Sequence, residues 1–195
     1  NGAIDIDLPV TPAIWLMGDP KCVERSYWRR NIPFIRNSGY DINPESIKDL
    51  RKRVQRAQRI LAVSHIRPDG DAVGSLLGLG LSLQAAGKEV QMVLEDGVPR
   101  NFRFLEKSSL IQKKTRGDFD LVFVVDCSDI RRVGGALDGY AEPQVNIDHH
   151  VTNLNFADFN IVDTSAVATA EILAWLLPEL NLPIDRDIAS ALLTG

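Results

Sequence analysis

The chain has 195 residues, enough for one good-sized domain or one domain with an appendage. Hydrophobic residues make up 45% and charged residues 25%, which excludes a disordered chain, and two cysteines, Cys22 and Cys127, are too few for a disulfide framework. A net charge of −4 excludes a uniformly basic nucleic-acid binder; no apolar run reaches the ~18 residues of a membrane span and no signal peptide opens the chain, so no membrane partner and a cytoplasmic location are expected.

Residues 1–42 carry Pro9, Pro12, Pro20 and Pro33 without sustained periodicity and read as a poorly defined N-terminal extension. Residues 21–59 hold 11 of the 22 Lys and Arg and 4 of the 26 acids, so this stretch is +7 and the remainder −11. It reads either as a solvated helix face or as a nucleic-acid docking arm. Asn43-Pro44-Glu45 is a helix start, followed by Ile47, Leu50, Val54 and Ala57 at helical spacing. Ile60–Ser64 reads as a short buried strand, and His65–Asp71 as a loop. Ala72–Leu83 reads as a helix apolar almost all round, with Gly87 as its C′ residue. Strands are expected at Glu89–Leu94, Phe119–Val125 and Gln144–Ile147, with a short helix at Asn101–Leu105. Thr164-Ser165 is expected to cap a helix that Pro178 stops, and Asp185 to cap another running to about Leu193. Alternating helices and nearly continuous apolar strands predict an α/β fold, a mostly parallel sheet with helices on both faces in three α/β/α layers.

The three histidines, His65, His149 and His150, all fall at predicted C-terminal strand ends beside aspartates, the edge where open parallel sheets bind ligands. One strand end delivers His65 with Asp69 and Asp71, a second Asp126 with Asp129, a third Asp148 with His149 and His150. Alone, each has a plain reading: a core histidine, a cap, a turn acid. Together they crowd carboxylates that repel one another unless cations intervene. Oxygen and imidazole donors without thiolate favour Mn²⁺, Mg²⁺ or Fe²⁺ over structural zinc. Gly70 lets the loop fold tightly, and an extended path would send Asp69 and Asp71 to different ions, with a third carboxylate bridging. Two metals about 3.5–4 Å apart are the usual arrangement for in-line phosphoryl displacement.

The segments His65-Ile66-Arg67-Pro68-Asp69-Gly70-Asp71-Ala72-Val73-Gly74-Ser75, Val124-Val125-Asp126-Cys127-Ser128-Asp129 and Asn146-Ile147-Asp148-His149-His150 resemble the DHH phosphoesterase superfamily in order and spacing, from about Arg59 to Gly195. The Pro-Asp-Gly-Asp-Ala-Val-Gly-Ser form is closer to the oligoribonuclease/pAp phosphatase (NrnA-type) branch than to the RecJ exonucleases. The resemblance implies two divalent cations, Mn²⁺ before Mg²⁺. His65 and Asp69 would hold one, Asp71 and His149 the other, and Asp126 would bridge. His150 would act on the scissile phosphate, Asp148 would orient an imidazole, and Arg67 would contact substrate. Asp129 is left as support and Cys127 as a small buried side chain behind the site. The implied activity is hydrolysis of short oligoribonucleotides or of 3′-phosphoadenosine 5′-phosphate (pAp). Cyclic-dinucleotide phosphodiesterase, pyro- or polyphosphatase, and a non-catalytic nucleotide-binding scaffold are the alternatives. The family pattern also has a further metal-ligand aspartate and a C-terminal DHHA1 domain beyond Gly195. Residues 43–195 therefore read as the catalytic domain without these, and are expected to hold the second cation and the substrate more weakly than the whole protein. The sequence allows a homodimer.

Overall fold

The computed structural model describes residues 44–140 and 142–195; the irregular extension and the Asn43 cap lie outside them. Five strands among the described residues form one parallel sheet: β1 (Arg59–Val63), β2 (Glu89–Val93), β3 (Leu121–Val125), β4 (Val145–Asp148) and β5 (Phe159–Val162), in the order β2-β1-β3-β4-β5. The helices are α1 (Pro44–Arg56), α2 (Gly70–Ala85), α3 (Thr169–Glu179) and α4 (Arg186–Leu192).

Alternate strand residues go to opposite faces. Ile60, Ala62, Leu121, Phe123, Val145, Ile147 and Ile161 join one core shared with all four helices. Leu61, Val63, Val122 and Val124 face the other way, onto a 3₁₀ segment at Ile130–Leu137 through Val133 and Ala136. Both faces are therefore covered, which is why central β3 is apolar throughout. Each fully buried Leu or Phe here contributes roughly 1.5–3 kcal/mol relative to exposure.

The chain runs from β1 through α2 to β2 on one side, then crosses back to β3 on the other side of β1. The connections thus diverge between β1 and β3. In a sheet of this order that switch point opens a crevice at the carboxyl ends of the strands.

Helix α2 is the central support of this edge. Residues 72–83 are all buried, and the helix packs on α3, α4, β1 and β2. Its contact with α4 depends on Gly74: a Cβ there would lie 2.5 Å from the Ala191 carbonyl oxygen and 2.9 Å from the Gly195 amide nitrogen, both backbone. Gly74→Ala gains about 1 kcal/mol of helix propensity but forces two helices apart, which costs about 1–3 kcal/mol. The overlap is with backbone, so the cost wins. Urea denaturation is expected to give a net loss of about 1–2 kcal/mol, and an unchanged midpoint would contradict the close approach.

Part of the positive charge of α1 is paired locally. Lys48 pairs with Glu45 at 3.3 Å and Lys52 with Asp49 at 3.0 Å, while Arg51 donates to the Glu179 carbonyl. This favours the solvated-face reading for the described part of the 21–59 stretch. No helix among the described residues is long and apolar enough to cross a membrane.

Candidate metal centre

All three candidate strand ends, two of them bearing histidines, meet at the switch-point crevice. His65 follows β1, Asp126 follows β3, and Asp148 closes β4 just before His149 and His150. Ser64 Oγ donates to the Val125 carbonyl at 2.7 Å and ties the first two strand ends together. Asp126 turns the chain out of β3 with φ 53°, a left-handed conformation that Asp tolerates better than most residues.

Asp126 is buried and lies at the centre. Its Oδ2 is 3.4 Å from His65 Nε2, and its Oδ1 is 3.8 Å from both His149 Nε2 and His150 Nδ1. One carboxylate therefore offers one oxygen to each of two donor groups. His65, Asp69 and Asp126 present ligand atoms within 4.8 Å of one another, and so do Asp126, His149 and His150. Thr169 Oγ1 donates to Asp126 Oδ1 at 3.1 Å.

Asp69 and Asp71 diverge. Asp69 caps α2, accepting from the Ala72 amide at 3.1 Å, and stands 3.9 Å from His65 Nε2. Asp71, in the first turn of α2, points to the other side. Its oxygens accept from the Thr169 amide (2.7 Å), the Ala170 amide (2.9 Å) and Ser75 Oγ (2.8 Å), and Oδ2 lies 3.7 Å from His149 Nε2. Asp71 thus caps α3 from another helix. This corrects the expected start of α3: it opens at Thr169 after Ala168, which has no capping side chain. Ser165 is taken up instead in a turn, its amide and hydroxyl donating to Asp163 Oδ1 at 2.8 and 2.6 Å.

The imidazoles are fixed through Nδ1. His65 Nδ1 meets the Ile66 carbonyl at 2.8 Å and His149 Nδ1 meets the Ala166 carbonyl at 3.3 Å. A carbonyl only accepts, so Nδ1 of each ring carries the proton and the lone pair of the neutral ring sits on Nε2, facing the carboxylates. This is the orientation a metal-binding imidazole requires. His150 Nδ1 is held at 2.7 Å by Asp148 Oδ1, and Asp148 is fully buried. Asn153 Nδ2 supports Asp148 Oδ2 at 2.6 Å and Asn146 Oδ1 at 2.8 Å, and Asn146 donates to the Cys127 carbonyl at 3.1 Å.

Burial pushes the Asp126 carboxyl up, but the hydrogen bond and charge of His65, the charge of His150 and the Thr169 hydroxyl outweigh it and hold it below the usual carboxylate range. Burial and the charge of Asp126 push Asp71 up, against its three donors. For His65, burial acts downward, yet the Asp126 hydrogen bond, the Ile66 carbonyl and the Asp126 charge together raise it. Two carboxyls held apart in this way are what a cation would relieve. The donor set contains no thiolate: Cys127 is fully buried, donates to the Asp129 carbonyl at 3.1 Å, and is pushed up to about 11 chiefly by burial.

Asp129 lies apart, capping the 3₁₀ segment and gripping Arg131. Arg67 is exposed on the rim, with φ 53° and its amide on Asp96 Oδ2 at 2.6 Å. Thr169, Asn153, Asn146 and Ser75 were not anticipated from sequence. Among these, Asn146 stands out as a polar residue in an apolar strand, and Ser75 closes the Pro-Asp-Gly-Asp-Ala-Val-Gly-Ser segment.

The family model described as the N-terminal domain of the DHH family matches residues 59–195. A bifunctional oligoribonuclease and PAP phosphatase NrnA of Thermus thermophilus is 39% identical over 140 residues, covering 70% of this chain and 41% of that protein. A protein of the same name from Mycoplasma pneumoniae is 28% identical over 158 residues, 77% of this chain and 48% of its own. The chain thus spans less than half the length of these relatives. Among solved structures, an exopolyphosphatase-related protein from Bacteroides fragilis matches with TM-score 0.70 and 24% identity, over 80% of this chain and 50% of that one, a likeness of fold.

Proposed function

The chain belongs to the DHH family, and from this premise we propose that it is the catalytic domain of a phosphoesterase that uses two divalent cations to hydrolyse short oligoribonucleotides, pAp or both. The observation that carries this reading is the Asp126 carboxylate, with one oxygen turned to His65 and the other to His149 and His150. His65 and Asp69 would hold one cation, Asp71 and His149 the other, and Asp126 would be shared. Mn²⁺ and Mg²⁺ suit these oxygen and imidazole donors. When bound, such ions lower the pKa of a water ligand well below its bulk value of about 15.7 and neutralise phosphate charge.

The chain's own groups supply the remaining work. His65 and His149 keep Nδ1 on backbone carbonyls, so neither ring has to reorient to offer Nε2. His150 keeps its Nδ1 proton on Asp148 and leaves Nε2 for the substrate. In its doubly protonated form it donates to a non-bridging phosphate oxygen as charge builds there. Arg67, exposed on the rim, would meet a further phosphate. The substrate class comes from the NrnA relatives named above. A DHHA1 domain would form the other wall of the cleft in the whole protein.

The test is hydrolysis of pAp and of a short labelled RNA, side by side, by chelator-treated protein before and after Mn²⁺ is returned. Turnover only with metal is expected, with the preferred substrate choosing the branch. Mn²⁺ binding without turnover of either would move the reading to cyclic dinucleotides or polyphosphates. Failure to bind Mn²⁺ would leave a scaffold.

A further inference from the structure

The turn after β2 carries a side chain that the fold does not use. Phe104 is 74% exposed. Arg100 and Arg103 precede it in the same turn and are exposed too, and among the described residues neither has a carboxylate within ion-pair distance. Arg103 spends only its Nε, on the Val98 carbonyl at 3.1 Å, so its outer guanidinium nitrogens remain for a ligand. Lys107, the next cation, is already paired with Asp187 at 2.8 Å and is not part of the feature.

Two independent contacts fix this turn against the crevice. The Arg67 amide donates to Asp96 Oδ2 at 2.6 Å, joining the loop of His65 to the start of the turn. The Phe102 ring lies against Gly70, where a Cβ would be 3.4 Å from Cε1, and Gly70 stands between Asp69 and Asp71. The aromatic platform is therefore one short turn from the proposed metal ligands, on the β2 side.

We propose that Phe104, Arg100 and Arg103 form a second nucleotide subsite for single-stranded RNA. A base beyond the scissile phosphate would stack on Phe104, with its backbone phosphate on the two guanidiniums. The proposal rests on the phosphoesterase reading and specifies its substrate as an oligomer rather than a mononucleotide. The chemistry favours a single strand. A stacked base covers an exposed aromatic face without sequence preference, and two guanidiniums in the same turn can share one phosphate. The net charge of −4 makes this local positive pair stand out as a place where a polyanion can approach.

The test separates the subsite from the catalytic centre. Binding of a labelled five-nucleotide RNA is followed by fluorescence anisotropy with Ca²⁺ in place of Mn²⁺, and hydrolysis of that RNA and of pAp is measured with Mn²⁺. Phe104→Ala is expected to weaken RNA binding about five- to a hundredfold, the range that removal of one stacked base gives, and to raise KM for the RNA. Hydrolysis of pAp, which is too short to reach the platform, stays within about twofold of wild type. Phe104→Trp restores RNA affinity, and Arg100→Glu with Arg103→Glu lowers the salt dependence of binding. RNA affinity unchanged in Phe104→Ala overturns the subsite. An equal loss on pAp overturns it too, because the turn would then only support the metal loop. A shift in oligomeric state on gel filtration of Phe104→Ala would assign the face to self-association and also overturn it. Wild-type protein that cleaves neither substrate overturns the oligoribonucleotide and pAp reading of the site instead, while the Ca²⁺ binding arm still decides the subsite.

Discussion

Asp126→Asn is expected to lower hydrolysis of any phosphoester substrate by about 10³-fold or more, and to remove both cations together. A thousandfold corresponds to about 4 kcal/mol of lost transition-state stabilisation, of the size seen when one strong electrostatic contact to developing charge is lost. Two features make this the most sensitive position. Its oxygens face separate imidazoles, so loss of the charge weakens both donor groups at once. It is also buried, so no water chain or neighbouring acid can substitute. Asn keeps the volume, tolerates φ 53°, and still accepts from Thr169 Oγ1, so the fold should persist. Calorimetric titration with Mn²⁺ distinguishes the cases: Asp69→Asn should weaken one site, Asp126→Asn both. Retention of two-ion stoichiometry and wild-type affinity in Asp126→Asn would sink the shared-ligand arrangement.

The elements that position this centre were legible in sequence because each obeys a local rule. β1 and β3 are short, mostly apolar runs followed at once by a polar residue, β4 closes on Asp148, and α2 begins after an aspartate that caps its first turn. The features missed are those where the deciding group lies far along the chain. β5 was absent from the reading because Phe159–Val162 is an edge strand of four residues with only Ile161 buried, so neither alternation nor a continuous apolar run marks it. The start of α3 was misplaced because its capping carboxylate, Asp71, comes from α2, 98 residues away from Thr169. Pro178 was read as a stop, yet it sits within the last turn of α3 one residue before its end, where boundaries are soft. The site followed the same pattern. Residues carrying charge or imidazole stood out by type, whereas Thr169, Asn153 and Ser75 are ordinary polar residues until the fold brings them to the carboxylates.

Asp148→Asn is expected to lower kcat by about 10²–10⁴ while leaving Mn²⁺ affinity near wild type, the range bounded by loss of a ligand-orienting partner and loss of the carboxylate behind a catalytic imidazole. The cause is donor arithmetic. Asp148 accepts from His150 Nδ1 on one oxygen and from Asn153 Nδ2 on the other. An amide in its place has one acceptor for two donors. Turned one way, it keeps His150 in place but sets its NH₂ against that of Asn153, which is itself held by Asn146. Turned the other way, it satisfies Asn153 and presents N–H to His150 Nδ1, which must give up its proton and carry it on Nε2. The second arrangement avoids a buried clash of donors, because Asp148 is fully enclosed and no water relieves it. His150 is then left in the tautomer that cannot take a proton on Nδ1 without breaking its hydrogen bond to residue 148. Nitrogen shifts of labelled imidazole would report that tautomer directly. Asn153→Ala frees the amide to keep His150 protonated at Nδ1, so adding it to Asp148→Asn should recover part of the rate. A double variant as slow as the single one, with the tautomer unchanged, would mean that Asp148 acts through its charge and not through the proton it holds in place.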